Sequence, residues 1–265
     1  MGTNQFWLIK NYVIYLLKSK SRYHIHSPFV FDLVENVFKN KTITGDLKKI
    51  DAFKKSMAKS KTIIETIDFG AGAHQKVYTT SFQKVGNIVK NRSQRNAQAH
   101  LLHRLARNFK PENVLEFGTA AGFSTAYIKS AIPESRMVSM EGCTNLANVA
   151  RQTLKQLHIQ NVEIRIGNFD VLLPLILKEF DTLDFVFFDG NHREKPTLDY
   201  FNQCVEHANE NSLFIFDDIH WSQGMDKAWK AIKNDKRVNL TIDLFWLGLV
   251  FFRKGAPKQD FIIRY

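Results

Sequence analysis

Apolar residues fall into two regimes along this chain. From about residue 113 they come as short, almost wholly apolar runs: Val114 to Phe117, Met137 to Met140, Val162 to Ile166, Leu183 to Phe188 and Leu213 to Phe216. Amphipathic stretches of helical spacing separate them. Strands of that kind alternating with helices predict a parallel sheet covered on both faces. After a helix from Gly224 to Lys233, the runs Leu240 to Phe245 and Leu247 to Arg253 lie too close together for a helical crossover, so they predict an antiparallel pair at the sheet edge.

The first hundred residues read differently. Residues 5–18 predict an amphipathic helix. Ser27-Pro28 opens a second, with Ser as N-cap, Pro at the first helical position and Phe29, Val30, Leu33, Val34 and Val37 on its apolar face. Between them Arg22-Tyr23-His24-Ile25-His26 is a connector whose histidines read as surface or packing residues, with contact to a substrate as the alternative. A basic helix follows over Leu47 to Ala58, then a strand over Ile63 to Phe69. Gly70-Ala71-Gly72 looks like a nucleotide turn, but His74 to Thr80 does not open a helix, so the turn is read as a decoy. Lys84 to Arg95 reads as a flexible basic loop, either a lid over a site or a plain linker. A helix from Ala97 to Phe109 then leads past Pro111 into the first parallel strand. The division expected is 1–95 as a helical extension with a basic loop, and 96–265 as the main domain.

Charge follows the same division. The formal net charge is +11, but residues 1–110 carry 20 Lys and Arg against 6 Asp and Glu, while residues 111–265 carry 17 against 20. The basic front suits an anionic partner, whether nucleic acid, membrane surface or acidic substrate, or is simply a solvated helical surface. The two cysteines, Cys143 and Cys204, have neither metal spacing nor a disulfide framework, which suits a reducing cytoplasm. The apolar run Phe6 to Leu17, interrupted by Lys10 and Asn11, is too short to span a bilayer and lacks a signal-peptide pattern. A soluble, cytoplasmic protein is expected; its oligomeric state is open, a homo-oligomer included.

The candidate chemistry gathers at the strand ends. In Asn113 to Lys129 a buried strand carries Glu116 and passes through a turn with Gly118 and Gly122 into a helix opening near Ser124. The glycines let the backbone turn sharply and let a ligand lie against it, and the helix N-terminus offers N–H groups to an anion. Glu141, at the end of the second strand and roughly twenty residues on, stands where a ribose-binding carboxylate is expected. The third strand is followed by Gly167-Asn168-Phe169-Asp170, with an amide for a purine edge and a ring to pack beside it. After the fourth comes Asp189-Gly190-Asn191-His192, and after the fifth Asp217-Asp218-Ile219-His220-Trp221. Ligands of open parallel sheets bind beyond these carboxyl ends.

Over about residues 113–253 these motifs resemble the class I S-adenosylmethionine-dependent methyltransferases, and more closely the catechol and caffeoyl-CoA O-methyltransferase branch. The resemblance implies an α/β fold with a Rossmann-like seven-stranded, mostly parallel sheet and an antiparallel final hairpin; outside its span, the N-terminal helical extension is expected to cap the acceptor side. It implies that Glu116, Gly118, Gly122 and Ser124 hold the methionine part of S-adenosylmethionine, that Glu141 takes the ribose, and that Asn168 and Phe169 meet the adenine. Asp189, Asp217 and Asp218 fall at the positions that hold a divalent cation such as Mg²⁺; Asp189 also falls beside the cofactor, and His192 at the position of the base. Asp218 stands where an amide is common, and His192 where Lys is. The implied activity is methyl transfer to an oxygen of a small-molecule acceptor. The alternatives are a nucleic-acid methyltransferase using the basic front, and a non-catalytic cofactor-binding scaffold; Asp-Gly-Asn-His after the fourth strand differs from the Asn/Asp-Pro-Pro-Tyr/Trp run of amino-methylating nucleic-acid enzymes.

Overall fold

The computed structural model describes residues 5–20, 25–68, 78–255 and 257–265. Residues 22–24 of the histidine connector, the Gly70-Ala71-Gly72 turn and residues 74–77 after it lie outside the described residues. The chain groups into two compact units, residues 41–175 and residues 1–40 with 176–265.

In chain order, α1 is Gln5–Lys18, and α2 is Pro28–Asp32, continued by a π-helical stretch Leu33–Phe38. The Ser27 hydroxyl caps α2 by accepting the Val30 N–H, with Pro28 at the first helical position. Next come α3 (Gly45–Met57), β1 (Ile63–Asp68), β2 (Thr79–Lys84), α4 (Val85–Arg92) and α5 (Asn96–Phe109). The regular alternation follows: β3 (Asn113–Phe117), α6 (Phe123–Ala131), β4 (Arg136–Glu141), α7 (Thr144–Gln156), β5 (Val162–Ile166), α8 (Phe169–Leu177), β6 (Phe185–Phe188), α9 (Glu194–Cys204), β7 (Leu213–Asp217) and α10 (Gln223–Asn234). The chain closes with β8 (Leu240–Asp243), β9 (Leu247–Phe251) and β10 (Gln259–Ile262).

The main sheet has eight strands in the order β10-β8-β9-β7-β6-β3-β4-β5. Strands β3, β4 and β5 pair in parallel, as do β6 and β7, whereas β9 runs antiparallel to both β7 and β8. The α/β architecture expected from the apolar runs therefore holds, with one correction. The β8–β9 pair does not form the edge, because β10 adds an eighth strand parallel to β8, Phe261 lying opposite Ile242. Its sequence, Gln-Asp-Phe-Ile, is too short and polar to announce a strand. Every residue of β6, β7 and β9 is buried, which explains why these strands are uniformly apolar rather than alternating. Phe188 and Phe216 stack at 4.3 Å and 5° between planes, a contact of adjacent parallel strands.

Two further corrections concern residues 61–95. Strand β1 exists but pairs antiparallel with β2 in a separate two-stranded sheet, Thr66 opposite Ser81. The basic stretch after it is not a loop: Val85–Arg92 is helix α4, with Val85, Ile88 and Val89 buried at helical spacing. Gly86 disguises it in the sequence, yet glycine is required there, since a Cβ would stand 2.7 Å from the carbonyl oxygens of both Ala58 and Ser60. Val85 and Val89 join α3 and α6 in one core cluster with Leu47, Ile50, Phe123 and Tyr127.

Candidate functional site

The glycine turn lies wholly in the unit of residues 41–175. It runs with positive φ at Gly118 (93°), Ala120 (46°) and Gly122 (80°), a conformation that L side chains rarely adopt. The turn is fastened to the end of β4. The N–H groups of Gly118 and Thr119 donate to the Met140 carbonyl at 3.0 and 3.1 Å, and that of Ala120 donates to Glu141 Oε2 at 2.8 Å. Gly122 sits at the N-cap of α6, where a Cβ would be 3.1 Å from both Cα and Cβ of Ala150 on α7. Ser124 follows in the first turn of that helix and is buried.

Glu116 is fully buried. Its Oε2 accepts from Thr125 Oγ1 at 2.5 Å and Ser139 Oγ at 2.6 Å. Burial raises its pKa against the hydroxyls of Ser124, Ser139 and Thr125, which favour the charged form. Oε1 is buried with no hydrogen bond of good geometry among the described residues. An acceptor left so costs about 1–3 kcal/mol unless a ligand donor completes it.

Glu141 bridges two backbone segments. Oε2 takes the Ala120 N–H, and Oε1 takes the Cys143 N–H at 2.8 Å. Burial pushes its pKa up, while those two amides and the positive charge of Arg92 pull it down. Arg92 ends α4, so the segment misread as a loop brings a cation into the field of this carboxylate. The β1–β2 hairpin rests on the same turn: Asn145 Nδ2 donates to the Glu65 carbonyl at 2.9 Å, and Ile64, Ile67 and Ile88 pack around Cys143 and Leu146. Sequence reasoning missed this support, and the spacing of Val85, Ile88 and Val89 was the signal that could have found it.

Asn168 acts first on its own backbone. Its side-chain oxygen accepts the Asp170 N–H at 2.8 Å, and its carbonyl accepts from Val171 and Leu172 at 3.1 and 3.0 Å, which starts α8. With that oxygen engaged, its amide NH₂ is the group suited to a base edge. Phe169 meets Phe117 edge to face at 5.8 Å, so the ring after β5 packs against the last residue of β3.

The remaining candidates lie in the other unit. His192 Nε2 stands 3.6 Å from Asp189 Oδ1, both partly buried. Between them Asn191 has φ 55° and donates from Nδ2 to Tyr200 OH at 3.2 Å, which fixes the turn after β6. Asp217 is buried at the end of β7, and Asp218 follows with φ 54°. Among the described residues no three His, Cys, Asp or Glu side chains are gathered so that they could hold a metal ion.

His220 is more deeply engaged than its sequence position suggests. Nδ1 faces Asp226 Oδ1 at 3.1 Å, Nε2 faces Asp243 Oδ2 at 2.9 Å, and Trp229 Nε1 donates to the same Asp243 oxygen at 3.1 Å. Burial pulls the His220 pKa down, but the two carboxylates outweigh it and push it up to about 9. His220 thus has an ionic role in the fold.

Residues 115–219 match the model of the family described as "Methyltransferase domain". The chain is 28% identical over 125 residues to a catechol O-methyltransferase of Niastella koreensis, covering 46% of this chain and 56% of that one. It is 32% identical over 97 residues to the mouse catechol O-methyltransferase, covering 35% and 37%. The chain spans about half the length of the curated relatives it matches. An O-methyltransferase from Bacillus cereus solved in complex with SAH shares the fold at a TM-score of 0.57 and 16% identity, over 82% of this chain and 96% of that one.

Proposed function

We propose that this chain, whose central part is of the class I methyltransferase type with matches in the catechol O-methyltransferase-like branch, is an S-adenosylmethionine-dependent O-methyltransferase acting on a small molecule. The observation that carries the reading is the bridge from Glu141 Oε2 to the Ala120 N–H at 2.8 Å. It locks the glycine turn to the carboxylate that stands in the ribose position, and with the buried acceptor Glu116 Oε1 it forms a cradle suited to an amino-acid nucleoside. The family match over residues 115–219, which contains all of these residues, supports the same reading.

When bound, the cofactor supplies an electrophilic methyl group on a sulfonium centre. Glu116 receives the ammonium of the methionine part, with the hydroxyl of Ser124 beside it, and Glu141 receives the ribose hydroxyls on its remaining lone pairs. Asn168 offers its amide NH₂ and Phe169 its ring to the adenine. His192 accepts the proton of the acceptor hydroxyl on its imidazole, and Asp189, 3.6 Å from Nε2, stabilises the imidazolium that results. No step is assigned to a divalent cation. The first hundred residues are assigned the choice of acceptor.

Calorimetric titration with S-adenosylmethionine tests the cradle. Glu141→Gln keeps the volume but loses charge and one acceptor, and should weaken binding by at least about tenfold. A methyl-transfer assay on a panel of catechols and phenols tests the base: His192→Gln should lower kcat by about 10²–10⁴ with cofactor affinity retained. Absence of cofactor binding by the unmodified protein would overturn the proposal.

A further inference from the structure

Helix α1 is apolar on two opposite sides, one of them docked and the other exposed. The inner side is docked: Tyr15 is buried, its hydroxyl donates to the Ile263 carbonyl at 2.6 Å, and the rings of Tyr12 and Tyr15 lie 4.9 and 5.3 Å from that of Phe245. Arg264 Nη2 donates to the Leu16 carbonyl at 3.0 Å, tying the helix to the residues after β10. At 100° per residue, Ile9, Val13 and Leu17 fall on the side away from Tyr15, in line with Phe6. Leu17 is 81% exposed, Phe6 75%, Ile9 63% and Val13 48%. Single exposed apolar residues need no explanation, but a continuous helical row of them marks an interaction surface. A helix apolar on every side is normally buried on every side.

We infer that the outer face of α1 lies on an anionic lipid surface, seated in the interface without crossing it. Charge selects this occupant. Lys10, Lys18 and Lys20 are exposed along and just beyond the row, and α1 itself carries no acidic residue. Residues 1–40 hold 5 basic against 2 acidic residues. A second copy of so basic a surface would be repelled, whereas anionic headgroups would be attracted and the apolar row would insert beneath them. The helix spans 14 residues, and none of the described helices is long and apolar enough to cross a bilayer, which fits an interfacial placement. The inference goes beyond the proposed methyl transfer and does not depend on it.

The test is co-sedimentation of the full chain with phosphatidylcholine vesicles and with vesicles in which roughly a third of the lipid is phosphatidylglycerol. Binding should be at least about tenfold stronger to the anionic vesicles and should weaken in high salt. Val13→Glu with Leu17→Glu should lose at least about tenfold of that binding, and Lys10→Glu with Lys18→Glu a similar amount. These side chains are exposed, so circular dichroism and thermal melting should stay as in the parent. Equal binding of parent and variants, or no binding to anionic vesicles, overturns the inference. So does a concentration-dependent dimer in sedimentation velocity that Leu17→Glu dissolves while vesicle binding is absent.

Discussion

His220 Nε2 lies 2.9 Å from Asp243 Oδ2, joining the turn after β7 to the end of β8 through a histidine that is charged at neutral pH. Asp226 from α10 closes the other side at 3.1 Å and is itself paired with Lys230 at 2.7 Å. Phe245 covers the imidazole at 5.4 Å between centroids, and Trp229 shares the Asp243 oxygen. The acids and base around His220 therefore come from α10 and from β8.

This arrangement fixes a pH dependence. The folded pKa of His220, about 9, exceeds the ordinary 6.5, so its stabilisation is full below about pH 6.5 and is lost as pH rises through about 9. The shift corresponds to about 3 kcal/mol at most. Burial pushes the Asp226 pKa up, but His220 and Lys230 outweigh it and hold it below the usual carboxylate value, so its contribution is present above about pH 4 and lost only in stronger acid. Urea midpoints between pH 5 and 10 should hold to about pH 7 and fall beyond it. In His220→Gln the fall between pH 7 and 10 should shrink, and stability at pH 6 should drop by about 2–4 kcal/mol, since buried Asp243 loses its cation and Asp226 keeps only Lys230.

Gly122→Ala tests the turn. The new Cβ meets Ala150 at 3.1 Å, at a φ of 80° that alanine avoids. Loss of about 1–3 kcal/mol is expected in chemical denaturation, together with weaker binding of S-adenosylmethionine, because the N-terminus of α6 has to shift. Unchanged stability would mean that α6 and α7 separate easily.

Asp51 anchors α3. It accepts from Tyr127 OH at 2.6 Å and meets His100 Nε2 at 3.0 Å, while burial and this carboxylate both raise the Tyr127 pKa. Asp51→Ala leaves a buried phenol and an imidazole without their acceptor. It should cost about 1–3 kcal/mol by thermal or urea unfolding, with cofactor affinity retained.

Chelation tests the metal question. Because no three His, Cys, Asp or Glu side chains among the described residues are gathered for an ion, dialysis against EDTA should leave methyl transfer within about twofold of the untreated rate. Loss of activity that Mg²⁺ restores would show that the acids converge when a cation and acceptor bind.

Particular elements show how much was legible in the sequence. The buried strands β3, β4, β6 and β7 announced themselves because their faces are covered and most of their side chains are apolar. The Gly118–Gly122 turn and Glu141 could be found by spacing, since a strand-turn-helix cradle requires its glycines and its acid at set distances. The hairpin strand β2 and edge strand β10 could not, because Thr-Thr-Ser-Phe-Gln-Lys and Gln-Asp-Phe-Ile gain their order from a neighbouring strand rather than from their own pattern.

By itself, then, the sequence determined the parallel α/β sheet, the glycine cradle and the acids at its strand ends, since each follows from local periodicity or from a backbone conformation tied to particular residue types. Tertiary structure alone decided that Arg92 at the end of α4 acts on the charge of Glu141, that Glu141 pins Ala120, and that His220 is charged between Asp226 and Asp243. These depend on groups distant in the chain whose distances, burial and charge are set only once the core has packed.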